Sequence, residues 1–199
     1  MGQAGNVLII FIKNPEKGKV KTRLAAELGD ERALAIYNSL LAHTRAACLA
    51  VPAHRLLFYS KQIDKRDDWP EADFDKQLQA GGELGQRIDL AFQAGFEAGA
   101  PVMIIGSDCP QLSSTIITQG FQTLEQHDFV LGPALDGGYY LLGMQAYSPS
   151  LFHGIDWSTD KVADQTRERI AALGGSLYEL PVLSDVDYAE DWAKYGWPL

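Results

Sequence analysis

The chain has 199 residues, 46% of them hydrophobic and 22% charged, with a formal net charge of −9 and two cysteines. This length suits one compact domain over residues 1–199, and the acidic balance argues against nonspecific nucleic-acid binding, which depends on a basic face. Because two cysteines make no disulfide framework, and no apolar run approaches the ~20 residues of a membrane-spanning helix, we expect a cytoplasmic protein without a membrane span.

Strand-like and helical segments alternate along the first half of the chain. Residues 7–12 form a continuous apolar run, as in a strand that is covered on both faces. A lysine-rich loop then leads into a short helix, TRLAAELG, which Gly29 ends. Asp30 is a suitable N-cap for the longer helix that follows. Residues 55–60 are a predicted second strand, and the polar stretch 61–77 is a predicted solvated excursion.

The second half continues the alternation. Helices are predicted over residues 83–98, 113–126, 160–173 and 188–195. Strands are predicted over residues 102–105, 129–131, 139–142 and 177–180. This order predicts a three-layer αβα sandwich with a mostly parallel sheet. In such sheets ligands bind beyond the carboxyl ends of the strands, where Asp108 and the loop after Ile12 fall.

The loop KNPEKGKVKTRL, residues 13–24, concentrates positive charge at the start of a helix. Its cations are Lys13, Lys17, Lys19, Lys21 and Arg23. Helix N-termini favour anions, and added cations strengthen such a site. A P-loop is excluded, because Lys13 stands at the position of its first glycine and Val20 at the position of its Ser or Thr, and the G-x-G-x-x-G pattern of a dinucleotide fingerprint is missing. In a chain this acidic, phosphate binding is favoured over a merely solvated basic loop.

A second glycine-rich segment, AGGELGQRI, opens the predicted helix at residue 83. Gly81 and Gly82 permit close approach of the backbone to a ligand, and Arg87 could reach a phosphate or a base. On its own this segment is more typical of a plain loop before a helix.

Two acidic segments are candidates for metal binding. Asp108 follows a buried strand, and Asp185 and Asp187 alternate in the segment LSDVDYAEDW. A hard cation such as Mg²⁺ takes oxygen ligands, typically one or two carboxylates plus substrate phosphates. The alternative is structural, because Asp108 could cap the turn before the helix at Ser113, and one of the later aspartates could cap the last helix.

The segment LGPALDGGYYLLG predicts a hairpin with Asp136 at its tip. Such a loop can also present a carboxylate to an acceptor molecule. In the segment IDWSTDKV, a helix is predicted to start at Ser158 or Thr159. Trp157 is either an exposed stacking surface or a buried side chain beside that helix.

In this order the blocks resemble a known family. The blocks are K-x-P-x-x-G-x-V-K-T-R-L, G-x-L-G-x-R, G-S-D-C-P, G-P-A-x-D-G-G-Y-Y-L-L-G, W-S-T and D-V-D-x-x-E-D. Together they are similar to the DUF2064 family of bacterial transferases, within the nucleotide-diphospho-sugar transferase superfamily of GT-A-like fold. The resemblance runs from about Val7 to Trp192. The first block is also similar to guanylyltransferases that activate phospholactate-type acceptors.

The resemblance implies roles for individual residues. The nucleotide would be bound by Lys13, Gly18, Lys21, Arg23, Gly82, Gly85 and Arg87. Mg²⁺ or Mn²⁺ would be bound by Asp108 and Asp187. The acceptor would be bound by Gly137, Gly138, Tyr139 and Trp157. Lys21, Arg23 and Asp136 would take part in catalysis. Related tails often carry D-x-D-T, and because Tyr188 replaces the threonine here, Asp185 stays open as the alternative metal ligand.

The predicted function is that of a metal-dependent transferase that uses a nucleotide or nucleotide sugar and a small acceptor. In nucleotidyl transfer the acceptor attacks the α-phosphate of a nucleoside triphosphate; in glycosyl transfer a nucleoside diphosphate departs, and Asp136 is the general base. The sequence does not separate these two reactions. The alternative is a regulatory protein of the same fold that binds a nucleotide without catalysis, which the presence of Asp108 and Asp187 disfavours. The oligomeric state is not predicted.

Overall fold

A computed structural model describes residues 5–199, so the first four residues of the predicted domain lie outside the described range. The central sheet has seven strands in the order β3-β2-β1-β4-β6-β5-β7. These are β1 (Val7–Ile12), β2 (His54–Tyr59), β3 (Asp75–Leu78), β4 (Val102–Ile105), β5 (Phe129–Pro133), β6 (Tyr139–Met144) and β7 (Leu177–Glu179). Strand β6 is antiparallel to β4 and β5, and the other neighbouring pairs are parallel. The prediction of a mostly parallel sheet is confirmed.

Helices cover both faces of the sheet. They are α1 (Thr22–Leu28), α2 (Asp30–Leu49), α3 (Leu84–Ala98), α4 (Ser114–Leu124), α5 (Val162–Ala172) and α6 (Ala189–Tyr195), with a 3₁₀ helix at Pro149–Phe152. Successive side chains of a strand point to opposite faces. Accordingly, Leu8 and Ile10 pack with side chains of α2 and α4, whereas Val7 and Ile9 pack with side chains of α3 and α5. The predicted three-layer arrangement is therefore present. No helix within residues 5–199 is long and apolar enough to cross a membrane.

The starts of two helices differ from the prediction. Gly29, with φ 82°, precedes α2, so Asp30 is its first residue and not its cap. Helix α5 begins at Val162, and neither Ser158 nor Thr159 starts it. Ser158 instead lies in a turn at φ 63°, a backbone conformation that residues other than glycine seldom adopt.

The stretch 61–77 is less solvated than its composition predicts. Its last residues begin the edge strand β3, and Trp69 and Phe74 are buried in the core. The Lys76 side chain is only 4% exposed; its Nζ lies 2.7 Å from Asp67 Oδ1 and 2.8 Å from the carbonyl oxygen of Asp64. A buried ion pair thus holds this excursion against the sheet. The polar composition of the stretch did not predict this pair.

We expect the substitution Lys76→Met to lower the free energy of unfolding by about 2 kcal/mol. Removing one partner of a buried pair leaves the other charge uncompensated, although Asp67 keeps some contact with water. Urea denaturation measures the change. The matched control is Lys65→Met in the same excursion, where the side chain is exposed and the expected change is within about 0.5 kcal/mol. Equal effects of the two substitutions would contradict a structural role for the pair.

Candidate functional site

A cleft of about 770 Å³ opens at the carboxyl ends of β1 and β4. This volume lies within the usual range for small-molecule sites. Ten of the residues predicted for the site line it: Lys13, Lys21, Arg23, Arg87, Asp108, Asp136, Gly138, Tyr139, Trp157 and Asp187. The predicted residues outside the lining are Gly18, Gly82, Gly85 and Gly137. Residues from six distant segments therefore meet at one edge of the sheet.

The loop after β1 is fixed at its first two residues. The Tyr37 hydroxyl accepts a hydrogen bond from the Lys13 N–H (2.8 Å) and donates one to the Lys13 carbonyl oxygen (3.1 Å). The buried Asn14 side chain donates to the Gln62 carbonyl oxygen (2.8 Å) and accepts from the Lys61 N–H (3.0 Å). These bonds tie the loop to α2 and to the loop after β2. The cationic segment therefore leaves the sheet in a defined direction.

Lys21 lies between two carboxylates at the centre of the cleft. Its side chain is 5% exposed, and its Nζ lies 2.9 Å from Asp108 Oδ2 and 3.4 Å from Asp187 Oδ1. The Lys21 backbone is left-handed, with φ 47° and ψ 49°, directly before α1. That conformation costs a residue with a side chain about 1–2 kcal/mol. The surrounding contacts thus hold one cation in a strained position against two acidic groups.

The charges around Lys21 shift the pKa of its ammonium group. Burial lowers the pKa of the Lys21 ammonium, but the carboxylates of Asp108, Asp187 and Asp185 outweigh burial and raise it above its usual value. Burial also raises the pKa of Asp185 to about 7, helped by the nearby carboxylates of Asp108 and Asp136. Lys21 is therefore a permanent cation at neutral pH.

Arg23 holds the second acidic segment from the outer side. Its Nη1 lies 3.0 Å from Asp187 Oδ2, and its guanidinium lies 5.7 Å from the centre of the Tyr188 ring. The Asp191 carboxylate accepts the N–H groups of Asp187 (3.0 Å) and Tyr188 (2.8 Å), and Tyr188 is the N-cap of α6. The Asp187 side chain is thus directed at the two cations and does not cap a helix.

Asp108 does not cap a helix either. The cap of α4 is Ser113, whose side chain accepts the N–H of Ile116. The Asp108 carbonyl oxygen accepts the N–H of Val186 (3.0 Å). That bond joins the two acidic segments and fixes the spacing between the carboxylates of Asp108 and Asp187.

The carboxylates of Asp108 and Asp187 fit a divalent cation that takes its other ligands from a substrate. Mg²⁺ prefers oxygen ligands and is usually bound through one or two carboxylates and substrate phosphates. These two carboxylates already share one cationic group, the Lys21 ammonium. Among residues 5–199, no group of three or more His, Cys, Asp or Glu side chains is arranged to hold a metal ion.

The start of α3 forms part of the cleft wall. Gly82 has φ +102°, and its carbonyl oxygen accepts a hydrogen bond from Arg87 Nε (2.9 Å). Gly85 faces the Trp157 indole, and a Cβ atom at residue 85 would lie 2.2 Å from Trp157 Nε1. Gly82 and Gly85 do not line the cleft themselves; they position Arg87 and Trp157, which do.

The β5–β6 hairpin forms the opposite wall. Asp136 Oδ1 accepts the N–H of Gly138 (2.9 Å), and the Gly137 carbonyl oxygen accepts the N–H of Ala163 (2.9 Å). Gly137 has φ +85°, and a Cβ atom there would lie 2.0 Å from the Asp160 carbonyl oxygen. The tip of the hairpin is therefore docked on the segment before α5, which turns Asp136 and Asp160 towards the cleft.

The family relationship follows from a match over more than half of the chain. Residues 43–159 match the family described as "Uncharacterized protein conserved in bacteria (DUF2064)". The chain belongs to the DUF2064 family. Among curated proteins there is no significant match to it.

Solved structures similar to this DUF2064 chain share its fold. A protein from Desulfovibrio desulfuricans G20, provisionally named as a nucleotide-diphospho-sugar transferase, is 29% identical with a TM-score of 0.86, over 94% of this chain and 83% of that one. The inositol-1-phosphate CTP transferase from T. maritima is 12% identical with a TM-score of 0.62, over 94% and 91%. A manganese complex of Rv0371c from Mycobacterium tuberculosis H37Rv is 11% identical with a TM-score of 0.54, over 96% and 97%. The predicted fold class is thus confirmed.

One residue that shapes this DUF2064 site, Tyr37, was not predicted from the sequence, and another, Asp185, was predicted only as an alternative. The bonds of Tyr37 to Lys13 depend on how α2 packs against β1. Asp185 was only an alternative to Asp187, and the structure places both in the cleft lining. The period-two spacing of these aspartates was the one signal available, because it puts both side chains on the same side of an extended chain.

Proposed function

We propose that the chain is a transferase that binds a nucleotide by its phosphates in the cleft and moves one part of that nucleotide onto a small acceptor. The observation that carries the proposal is the buried Lys21 ammonium, held on a strained backbone between the carboxylates of Asp108 and Asp187. Buried charges and strained residues cost stability, and they persist where the surrounding structure holds them or a function requires them. A cation and two acidic groups at the carboxyl ends of parallel strands suit a bound phosphate and its metal ion.

The charge of the loop after β1 supports phosphate binding. Lys13, Lys19 and Arg23 line the cleft beside Lys21, in a chain whose net charge is −9. Cations that converge on one wall stabilise phosphate charge, both in the bound nucleotide and on a departing phosphate group. The provisional name of the D. desulfuricans relative and the CTP-dependent reaction named for the T. maritima protein agree with a nucleotide as the donor.

Asp108 and Asp187 would hold Mg²⁺ or Mn²⁺ together with the phosphates of the nucleotide. When bound, such an ion supplies Lewis-acid stabilisation of negative charge on phosphate oxygens. Lys21 stays protonated and neutralises charge at the same phosphates, while Arg23 keeps Asp187 oriented through their contact of 3.0 Å. The manganese complex of Rv0371c is consistent with this choice of ion.

Two reactions suit this arrangement. In nucleotidyl transfer, an acceptor oxygen forms a bond to the α-phosphorus as the bond to pyrophosphate breaks; the four cations of the loop favour this version, because they match the charge of a triphosphate. In glycosyl transfer, the acceptor oxygen bonds to the sugar carbon as the bond to the nucleoside diphosphate breaks. The name of the D. desulfuricans relative favours that version. In both, Asp136 accepts the proton of the acceptor hydroxyl.

Ligand-dependent melting identifies the nucleotide, and product analysis identifies the reaction. A ligand that binds the folded state raises its stability by about 2.7 kcal/mol at a hundredfold excess over its Kd. We expect a nucleoside triphosphate or a nucleotide sugar to raise Tm more with Mg²⁺ or Mn²⁺ than without. With that nucleotide and an acceptor, release of pyrophosphate indicates nucleotidyl transfer, and release of a nucleoside diphosphate indicates glycosyl transfer.

Two outcomes would count against the proposed function. If no nucleotide raises Tm with or without a divalent cation, the cleft is not a nucleotide site. If a nucleotide binds but is not consumed with any acceptor, the regulatory alternative is favoured over a transferase.

A further inference from the structure

The two walls of the cleft carry opposite charge. The cations that line it come from the loop after β1, with Arg87 of α3 beside them. The wall made by the β5–β6 hairpin and the segment before α5 contributes the carboxylates of Asp136 and Asp160. Among residues 5–199, no lysine or arginine lines this acidic wall. A phosphorylated or carboxylated molecule on that side would be repelled, because like charges at short range disfavour each other.

An apolar surface lies beside the acidic wall. Trp157 packs on Gly85, whose missing side chain leaves room for the indole. Leu84, Ile88 and Val162 line the cleft in the same region. The turn at Ser158, with φ 63°, directly follows Trp157. A flat aromatic surface next to carboxylates is suited to a ring that has an apolar face and polar edges.

The Tyr139 hydroxyl has no hydrogen-bond partner among residues 5–199, although the atom is buried. Its neighbour on the same strand, Tyr140, donates to the Pro181 carbonyl oxygen (2.9 Å). A buried hydroxyl without a partner costs free energy. Tyr139 lines the cleft, but its hydroxyl oxygen is enclosed by protein atoms, so pairing with a ligand requires the ring to turn towards the cleft. Burial also raises the pKa of Tyr139, which keeps the hydroxyl protonated.

We propose that the acceptor of this transferase is an uncharged ring compound with hydroxyl groups, of the sugar or cyclitol class and without a phosphate. Its apolar face lies against Trp157, one hydroxyl pairs with the Tyr139 hydroxyl, and another is bound by Asp136. Asp136 Oδ1 is occupied by the Gly138 N–H, whereas Oδ2 has no hydrogen-bond partner within residues 5–199 and can accept from the acceptor. This inference rests on the proposed function, because it assigns the acceptor of the same cleft.

The test compares matched neutral and phosphorylated probes on the nucleotide-bound protein. The probes are myo-inositol with inositol 1-phosphate, and glucose with glucose 6-phosphate, titrated by calorimetry after the nucleotide has been found by melting. We expect a neutral member to bind at least about tenfold more tightly than its phosphorylated partner, since a single unfavourable charge contact is worth that factor. The double substitution Asp136→Asn with Asp160→Asn should reduce the discrimination.

A phosphorylated member that binds as well as its neutral partner, or better, would overturn the inference. So would a protein that binds the nucleotide but no member of the panel. Both results leave nucleotide binding intact and are therefore distinct from failure of the proposed function, in which no nucleotide binds.

The neighbouring tyrosines provide a second test that does not need turnover. Tyr139→Phe should raise Tm of the free protein by about 2 °C, because it removes a hydroxyl that lacks a partner, and should weaken binding of the neutral probe by up to about tenfold. Tyr140→Phe should instead lower Tm, because it loses the bond to Pro181. If Tyr139→Phe lowers Tm and leaves probe binding unchanged, Tyr139 does not contact the acceptor.

Discussion

The substitution Lys21→Met is expected to lower kcat of the transfer reaction by about 10²–10³-fold, the usual loss when one group that stabilises transition-state charge is removed. Methionine keeps an unbranched side chain, one heavy atom shorter than that of lysine, and has no charge. The phosphates lose their buried cation, and the carboxylates of Asp108 and Asp187 lose the ammonium that both contact, at 2.9 and 3.4 Å. The kcat of purified protein, with the nucleotide identified by melting, measures the effect.

Lys17→Met is the matched control for Lys21→Met. Lys17 belongs to the same loop, but its side chain is 56% exposed, pairs with Glu31 and does not line the cleft. We expect kcat of Lys17→Met to stay within about twofold of the parent protein, because an exposed ion pair contributes little. Equal losses of kcat in both variants would mean that the net charge of the loop matters and that the position of Lys21 does not.

Metal binding alone gives a second, independent measurement on Lys21→Met. Without the ammonium, Asp108 and Asp187 repel each other, and a divalent cation relieves that repulsion. We therefore expect Mg²⁺ or Mn²⁺ without nucleotide to raise Tm of Lys21→Met more than Tm of the parent protein. Identical shifts would indicate that the two carboxylates do not bind the ion together.

Apolar patterning was sufficient to predict the layers of this fold. The run at β4 is buried along its whole length, the run at β1 is buried except at the half-buried Phe11, and the predicted bounds of both agree with the structure. Strand β3 was missed because its sequence, DKQL, is polar and lies at the edge of the sheet, where one side has no neighbouring strand to require apolar residues. The Lys76–Asp67 pair stabilises this region, and sequence patterns do not reveal which charged residues pair.

The candidate site was predictable in composition but not in arrangement. Each segment has its own local signal, such as the cations of the loop or the Asp-Gly-Gly turn. The contacts of Lys21 with Asp108 and Asp187 join residues far apart in the chain, so they depend on the order of strands in the sheet. That order was not visible in the sequence. Gly85 likewise lies against Trp157, a residue far away in the chain, and its role in nucleotide binding stays a prediction.

The substitution Asp108→Asn is expected to remove the effect of divalent cations on nucleotide binding. The amide keeps the size of the side chain and loses its charge, so a hard cation loses one of two protein ligands. We expect the additional rise in Tm that Mg²⁺ gives with the nucleotide to disappear and kcat to fall by at least about 100-fold. Nucleotide binding without a divalent cation should be unchanged or stronger, because one negative charge next to the phosphates is gone.

Parallel substitutions of the other acidic residues locate the second ligand. If Asp187 is that ligand, as its contacts with Lys21 and Arg23 suggest, Asp187→Asn has the same effect as Asp108→Asn. Asp185→Asn should then keep the response to divalent cations. Asp73→Asn is the control, because Asp73 is exposed and lies outside the cleft.

If Asp108→Asn leaves both the divalent-cation response and kcat unchanged, Asp108 is not a metal ligand and the pairing with Lys21 is purely structural. A loss in Asp185→Asn but not in Asp187→Asn would instead assign the second ligand to the more buried aspartate, and the contact between Arg23 and Asp187 would then serve mainly to hold α6 against the loop.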